Sequence, residues 1–280
     1  VRTFLLLAAL AALLPGHDAR ASGWPTGKRK VLLVPGFYYY RASRYWNQAG
    51  QSAPFGNDGR FTSPSFRLYG EYGFSERLNA VATLPVAFNR YQATNLDLKN
   101  SGFGDAEVGL RYTLFRDSLR TRFLSAQVVG ILPLYQNSQQ PYLGYATAGV
   151  EARLLFSGSV KLGARYGYFN VESGYRLFGA LPGGTRVRQV PLLGTFGYYL
   201  SGSDVLAGEV AGLISFSNQF RELNPTNPGI NTDFRFFKTT LTYGRRVSGS
   251  TWLYAGLFAD VSGRNVGIGR GGTLYAVVKF

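Results

Sequence analysis

GDAEVGLRYTLF, residues 104–115, sets Asp105, Glu107 and Arg111 on alternate positions and places Ala106, Val108, Leu110, Tyr112 and Leu114 between them. In a β-strand, residues two apart share a face. Read as a strand, this stretch has one ionised side and one apolar side, so it divides two different surroundings. Segment 146–156 repeats the arrangement, with Ala148, Val150, Ala152, Leu154 and Phe156 opposed to Thr147, Gly149, Glu151 and Arg153. Segment 160–169 sets Val160, Leu162, Ala164, Tyr166 and Tyr168 against Lys161, Gly163, Arg165 and Gly167. The last residues set Leu274, Ala276, Val278 and Phe280 against Thr273, Tyr275 and Lys279.

A soluble sandwich shows the same period with its charges turned outward. Here glycine and ionised groups recur at mid-strand on the polar face, and no segment reads as a dry core shared by two sheets. The pattern therefore predicts a wet lumen on one side and hydrocarbon on the other. Composition points the same way: 36 Gly, 21 Phe and 19 Tyr in 280 residues favour strands over helices.

Tight polar connections stand at 74–77, 116–122, 157–159, 201–204 and 248–250, and longer ones at 41–65, 89–103, 135–145, 170–185, 217–233 and 262–271. Short and long alternate, which puts the tight turns on one rim of a meander and the loops on the other. The segments between them number about twelve, each near the length a tilted membrane strand requires. The expected fold is all-β: a transmembrane antiparallel up-and-down β-barrel of about twelve strands over residues 22–280. Aromatic residues near strand ends, among them Tyr38, Tyr39, Tyr40, Phe115, Phe123, Phe156, Tyr168 and Trp252, are expected to form interfacial girdles.

Residues 1–21 read as a cleavable signal peptide. Arg2 precedes the apolar run Phe4 to Leu14, Pro15-Gly16 breaks it, and Ala19-Arg20-Ala21 offers small residues at a cleavage site. Removing Arg2, Asp18 and Arg20 lowers the net charge only from +15 to +14.

Several function classes are disfavoured by what the chain lacks. It has no Cys, and its one histidine, His17, falls in the leader. Disulfides, thiolate or histidine metal sites, and histidine acid–base catalysis are therefore not expected. No cofactor and no enzymatic role is predicted. Nucleic-acid binding is not expected either, because the basic residues are scattered over strands and loops rather than gathered on a helix or ribbon.

By parity, the expected inward-facing residues are Arg67, Glu71, Asp105, Glu107, Arg111, Glu151, Arg153, Lys161, Arg165, Glu209 and Lys279. Glu71 and Glu107 are within reach of Arg111, and Glu151 of Arg153 or Arg165. Two readings stay open: a selectivity filter, or a salt-bridged filling that closes a narrow barrel. Arg41, Arg44, Arg60, Arg90, Arg176, Arg186, Arg188, Arg264 and Arg270 are assigned to the long-loop rim. There they would attract anionic solutes or, more simply, bind the phosphates of lipopolysaccharide. Pro35, Pro85, Pro133 and Pro191 fall in or near strands, where each removes a ladder donor and allows a break in the wall.

SGFGDAEVGLRYTLF (101–115), the hairpin LYGEYGFSERLNAVATLPV (68–86) and the terminal LYAVVKF (274–280) resemble the outer-membrane channel family named after the meta-pathway of phenol degradation. Gly23-Trp24-Pro25, followed by Lys28-Arg29-Lys30, is similar to the mature start of other outer-membrane barrels. The specific match covers residues 66–115. The resemblance implies a channel for small solutes, often aromatic or otherwise hydrophobic, and a terminal Phe280 read by the barrel assembly machinery. The expected partners are membrane lipid, lipopolysaccharide, that machinery and a small-molecule solute. The competing reading is a structural or export-associated barrel with an occluded lumen.

Overall fold

The computed structural model describes residues 23–181, 183–219, 223–224 and 231–280; the expected signal peptide lies outside them. The alternating segments form strands β1 (Val31–Trp46), β2 (Ser52–Pro54), β3 (Arg60–Gly73), β4 (Leu78–Ala93), β5 (Leu96–Phe103), β6 (Asp105–Arg116) and β7 (Arg122–Pro133). They continue as β8 (Gly149–Leu162), β9 (Arg165–Ala180), β10 (Arg186–Tyr199), β11 (Asp204–Ser217), β12 (Phe234–Arg246), β13 (Thr251–Arg264) and β14 (Val266–Lys279). Each pairs antiparallel with its neighbour, and β14 pairs with β1 to close the sheet. β5 and β6 both pair with β4 and make one wall strand in two parts, and β2 is a flap on the end of β1. The wall therefore has twelve strands. At the level of β6, β7 and β8 closure leaves no strand edge unpaired, as a sheet in hydrocarbon requires, while β5 pairs with β4 alone.

Parity follows the charge pattern. Val108, Leu110, Tyr112 and Leu114 are 45–55 % exposed on the outside of β6, while Arg111 and Thr113 between them are buried inside. Leu154, Leu241, Leu257 and Leu274 continue the apolar exterior around the barrel. In water this surface would forgo about 25 cal/mol per Å² of burial, and hydrocarbon removes that cost.

Several expected loops are strand instead. The tight turn placed at 157–159 is the middle of β8, and the actual turn lies at Gly163-Ala164. Gly158 serves close packing there: a Cβ would stand 2.7 Å from the Phe169 ring. The loop expected at 170–185 is mostly β9, that at 89–103 is the β4–β5 hairpin turning at Asn95, and that at 262–271 turns at Asn265. Both asparagines have positive φ, 64° and 55°, a conformation Asn tolerates in tight turns. These strand ends project beyond the apolar band, where both faces meet water and alternation no longer marks a strand.

Pro35 and Pro191 sit in unbroken register with β3 and β11, against the expectation of a break, whereas Pro85 and Pro133 coincide with irregularities. The β4–β6 ladder ends at Thr83↔Glu107 and resumes on β5 at Val86↔Phe103, with the Gly104 amide donating to the Pro85 carbonyl at 2.9 Å. Beyond Pro133 and below Gly149, residues 134–148 take the place of strand between β5 and β9. Asn100 and Gln139 tie this segment to β5, each donating a side-chain N–H to a backbone carbonyl, Asn100 to that of Gln139 and Gln139 to that of Lys99, both at 2.9 Å.

The girdle expectation holds for Tyr39, Phe115 and Phe156, which face outward and are exposed. It fails for Tyr38, Tyr40, Phe123, Tyr168 and Trp252. Their parity turns them into the lumen, where they pack on one another and on neighbouring lumen side chains.

Candidate functional site in the lumen

Residues 23–27 fold back from the start of β1 into the short-turn end of the barrel. Trp24 is buried there, edge-on to Phe123 (6.4 Å) and Tyr168 (6.2 Å). The Gly23 carbonyl accepts from Ser125 Oγ at 3.0 Å, and the Trp24 carbonyl from Arg111 Nη2 at 3.5 Å. The Thr26 hydroxyl donates to Glu71, and the side chain of Asn79 lies 3.2 Å from the same hydroxyl. Glu71 also pairs with Arg111 across β4 and accepts from the Tyr69 hydroxyl at 2.6 Å. The segment thus makes a floor, seated on a buried ion pair.

Above it, one side of the lumen is ionic. Arg176 of β9 joins Glu151 of β8 (Nε to Oε2, 2.7 Å) to Glu107 of β6 (Nη2 to Oε1, 2.9 Å). Arg153 joins Glu151 (2.5 Å) to Glu172 (2.7 Å), and Asn170 donates to Glu172 at 2.6 Å. Glu151 and Glu172, the two most buried, are each shared by two donors, the condition under which buried charge is tolerated, while Glu107 takes Arg176 alone. The opposite side is aromatic. A row of rings runs from Tyr168 through Tyr199, Trp252 and Tyr254 to Tyr275, with centroid separations of 4.7–6.2 Å.

Among the described residues, two cavities stand one above the other in this lumen. The lower, about 530 Å³, is lined by the ionic side and the aromatic row; the upper, about 730 Å³, by Tyr40, Phe61, Phe234, Phe236, Phe258 and Leu213. Tyr38, Arg67, Leu193, Glu209 and Tyr275 line both and form the neck between them. Lys238 projects into the upper cavity, with its Nζ 4.6 Å from the Phe258 centroid, 5.6 Å from that of Phe236 and 5.9 Å from that of Tyr40. Asp260 lies opposite it in the ladder; one of its oxygens accepts from the Gly269 amide at 2.7 Å and the other has no partner. Among the described residues, no group of three or more acidic, histidine or cysteine side chains is placed to hold a metal ion.

Of the predicted lumen residues, Arg67, Glu71, Asp105, Glu107, Arg111, Glu151, Arg153 and Glu209 do line the interior. Asp105 accepts from the Tyr135 hydroxyl at 2.8 Å. Lys279 sits half-buried at the end of β14, on the short-turn rim. Lys161 and Arg165 are corrected: they flank the β8–β9 turn and are exposed, because that turn lies later in the chain than expected. Glu151 accordingly pairs with Arg153 and Arg176, not with Arg165. Arg176, assigned to the rim, is a central member of the lattice. Glu172, Lys238, Asp260 and the floor segment were not anticipated. Glu172 and Arg176 share the parity of Tyr168, so a reading that turns Tyr168 outward turns them outward too; the inner face of β9 is the even one, with Asn170 buried on it.

No protein-family model matches the sequence, and no curated protein matches it. Solved structures share the fold. The COG4313 outer membrane channel from Pseudomonas putida F1 superposes with a TM-score of 0.71 at 14% identity, over 94% of this chain and all of that one. The β domain of the Bordetella autotransporter BrkA gives 0.55 at 11% identity, over 90% and 100% of the two chains. NanC porin gives 0.50 at 10% identity, over 88% and 98%. The chain has the fold of outer-membrane β-barrels, shared by channels and by autotransporter translocators alike.

Proposed function

We propose that the protein resides in the bacterial outer membrane and is a channel for passive movement of small solutes that combine an apolar, often aromatic, body with a negative group. The observation that carries this reading is the pair of lumen cavities that meet at a shared neck. The aromatic upper cavity suits a ring or short chain. Lys238 is held over rings rather than in an ion pair, so a carboxylate entering the cavity meets a cation without a charge partner in contact. Asp105, Glu107, Arg153 and Arg176 below the neck act as the charged lining that a solute passes. The link to the family named after the meta-pathway rests on the motif at 66–115. No catalytic role or cofactor is part of this reading, and the barrel assembly machinery is proposed to recognise Phe280.

The floor formed by residues 23–27 favours a second reading, a barrel whose lumen stays shut and whose role is structural or export-associated. Planar-bilayer recording separates the two. On the channel reading the purified protein shows discrete openings that benzoate blocks at lower concentration than benzyl alcohol, and Lys238→Met removes the difference. A membrane that stays closed, both with the intact chain and with one lacking 23–27, would establish the second reading instead.

A further inference from the structure

The outer wall carries a second charged feature, away from the lumen. Arg41 of β1 and Arg270 of β14 are direct cross-strand partners, and both point outward. On the neighbouring strands, Arg235 of β12 and Arg264 of β13 form another such pair on the same surface. Side chains directly opposite in an antiparallel ladder have Cβ atoms about 5 Å apart, and like charges there repel. Two arginine pairs on four consecutive strands (β12, β13, β14 and β1) are therefore destabilising unless an anion joins them. The groups facing them provide one to Arg264 only. Thr62 of β3 lies beside Arg41 and Ala259 of β13 beside Arg270. Asp233 reaches Arg264 alone, at 3.3 Å, and Asp260 points into the lumen. Among the described residues neither Arg41 nor Arg270 has a carboxylate within ion-pair distance, and Arg41 Nε is buried without a hydrogen-bond partner.

Height on the wall identifies the anion. Arg41 lies ten residues above Val31, where β1 leaves the short-turn rim. At about 3.3 Å per residue and a tilt near 40°, that is about 25 Å, the height of the apolar band of such barrels. Arg41 and its partner Arg270 thus stand at the upper edge of the hydrocarbon, where lipid headgroups lie, and Arg235 and Arg264 stand higher, beside the turn at Asn265. Exposed Tyr39, just below on the same face of β1, fits that boundary.

We propose that Arg41, Arg270, Arg235 and Arg264 form a binding site for the phosphate groups of an outer-leaflet saccharolipid, with the acyl chains lying on the apolar wall beneath. Guanidinium groups bind phosphate bidentately, and a lipid with two phosphates spans both pairs. The site rests on the outer-membrane location but not on conduction, so a barrel with no open state tests it equally well.

The test is native mass spectrometry of the detergent-solubilised full chain, titrated with bisphosphorylated lipid A, monophosphorylated lipid A, phosphatidylglycerol and inorganic phosphate. The expected result is retention of bisphosphorylated lipid A at least tenfold stronger than that of phosphatidylglycerol, reduced at least tenfold in Arg41→Gln/Arg270→Gln. Heat-modifiable electrophoresis verifies that the variant is folded. If it does not fold, Arg270→Lys is used, which keeps charge but not the bidentate fork and is expected to weaken binding severalfold. Equal retention of lipid A by wild type and variants, or binding of inorganic phosphate as strong as that of the lipid, overturns the proposal.

Discussion

Replacing Arg111 with methionine should loosen the floor of the lumen. The Arg111 and Glu71 side chains are each 2 % exposed, and their pair holds the segment through Thr26 and the Trp24 carbonyl. Removing one member of a buried pair costs about 3–5 kcal/mol, because the other charge is left without compensation. Glu71 keeps the Tyr69 and Thr26 hydroxyls as donors, which argues for the lower end, about 3 kcal/mol. If that loss falls on docking of residues 23–27, the ratio of docked to undocked segment drops about 100-fold. Trp24 fluorescence reports it directly, in a background where Trp46 and Trp252 are replaced by phenylalanine. Arg111→Met should make Trp24 accessible to acrylamide and raise single-channel conductance, while the double variant Glu71→Leu/Arg111→Met, which leaves no orphan charge, should fold more stably than the single one. Unchanged quenching and unchanged conductance in a folded Arg111→Met barrel would refute the reasoning.

Three further outcomes follow from local geometry. Gly158→Val places a side chain against the Phe169 ring and should cost about 1–3 kcal/mol, read as a lower urea midpoint for unfolding from lipid vesicles; an unchanged midpoint would show that the ring moves aside freely. In the β6–β7 turn, the Thr121 hydroxyl and then the Arg122 amide hold the Asp117 carboxyl below the usual carboxylate range. A depressed folded pKa gives order that is present above the unfolded value of about 4 and lost as pH falls through the folded one. Exchange protection of the Thr121 and Arg122 amides, corrected for intrinsic rate, should hold above that pH and fall below it, and Asp117→Asn should abolish the dependence. Phe280 closes the barrel by exchanging backbone hydrogen bonds with Val31 at 2.9 and 3.2 Å while its ring stays exposed. Phe280→Ala should reduce the assembled protein in cell membranes yet refold normally in detergent; equal losses in both would assign the ring to stability instead of recognition.

Fold class and strand number were legible because, within the hydrocarbon, the two faces of each strand meet opposite solvents and the sequence must alternate. Val108-Gly109-Leu110-Arg111-Tyr112 could be assigned to faces from its residues alone, and so could Glu151 and Arg153. Beyond the band the signal fades. Strand β9 above Asn170 reads as polar loop because Glu172 and Arg176 mix with Gly174 and Ser173, and only their partners Leu155 and Glu151 on β8 mark it as strand. Ser157-Gly158-Ser159 imitates a turn, since glycine serves equally for a turn and for the close approach of a ring. The floor was beyond reach of parity arguments: Gly23 to Gly27 has no period, and its place is set by Ser125, Arg111 and Glu71, from 45 to 102 residues away in sequence from the groups they bond. Lys238 was hidden for a related reason: beside Phe236 of its own strand and Phe258 of the next, its cage needs Tyr40 of β1, from the other end of the chain.

The separation of two solvents by one wall can be measured at adjacent residues. Thr240 lines the upper cavity, and Leu241 beside it is 61% exposed on the outer face. The chain contains no cysteine, so Thr240→Cys and Leu241→Cys can each be probed in lipid vesicles with a charged maleimide. Rapid labelling at position 240 and none at 241 is the predicted result. Equal labelling at both, or labelling at 241 alone, would contradict the account.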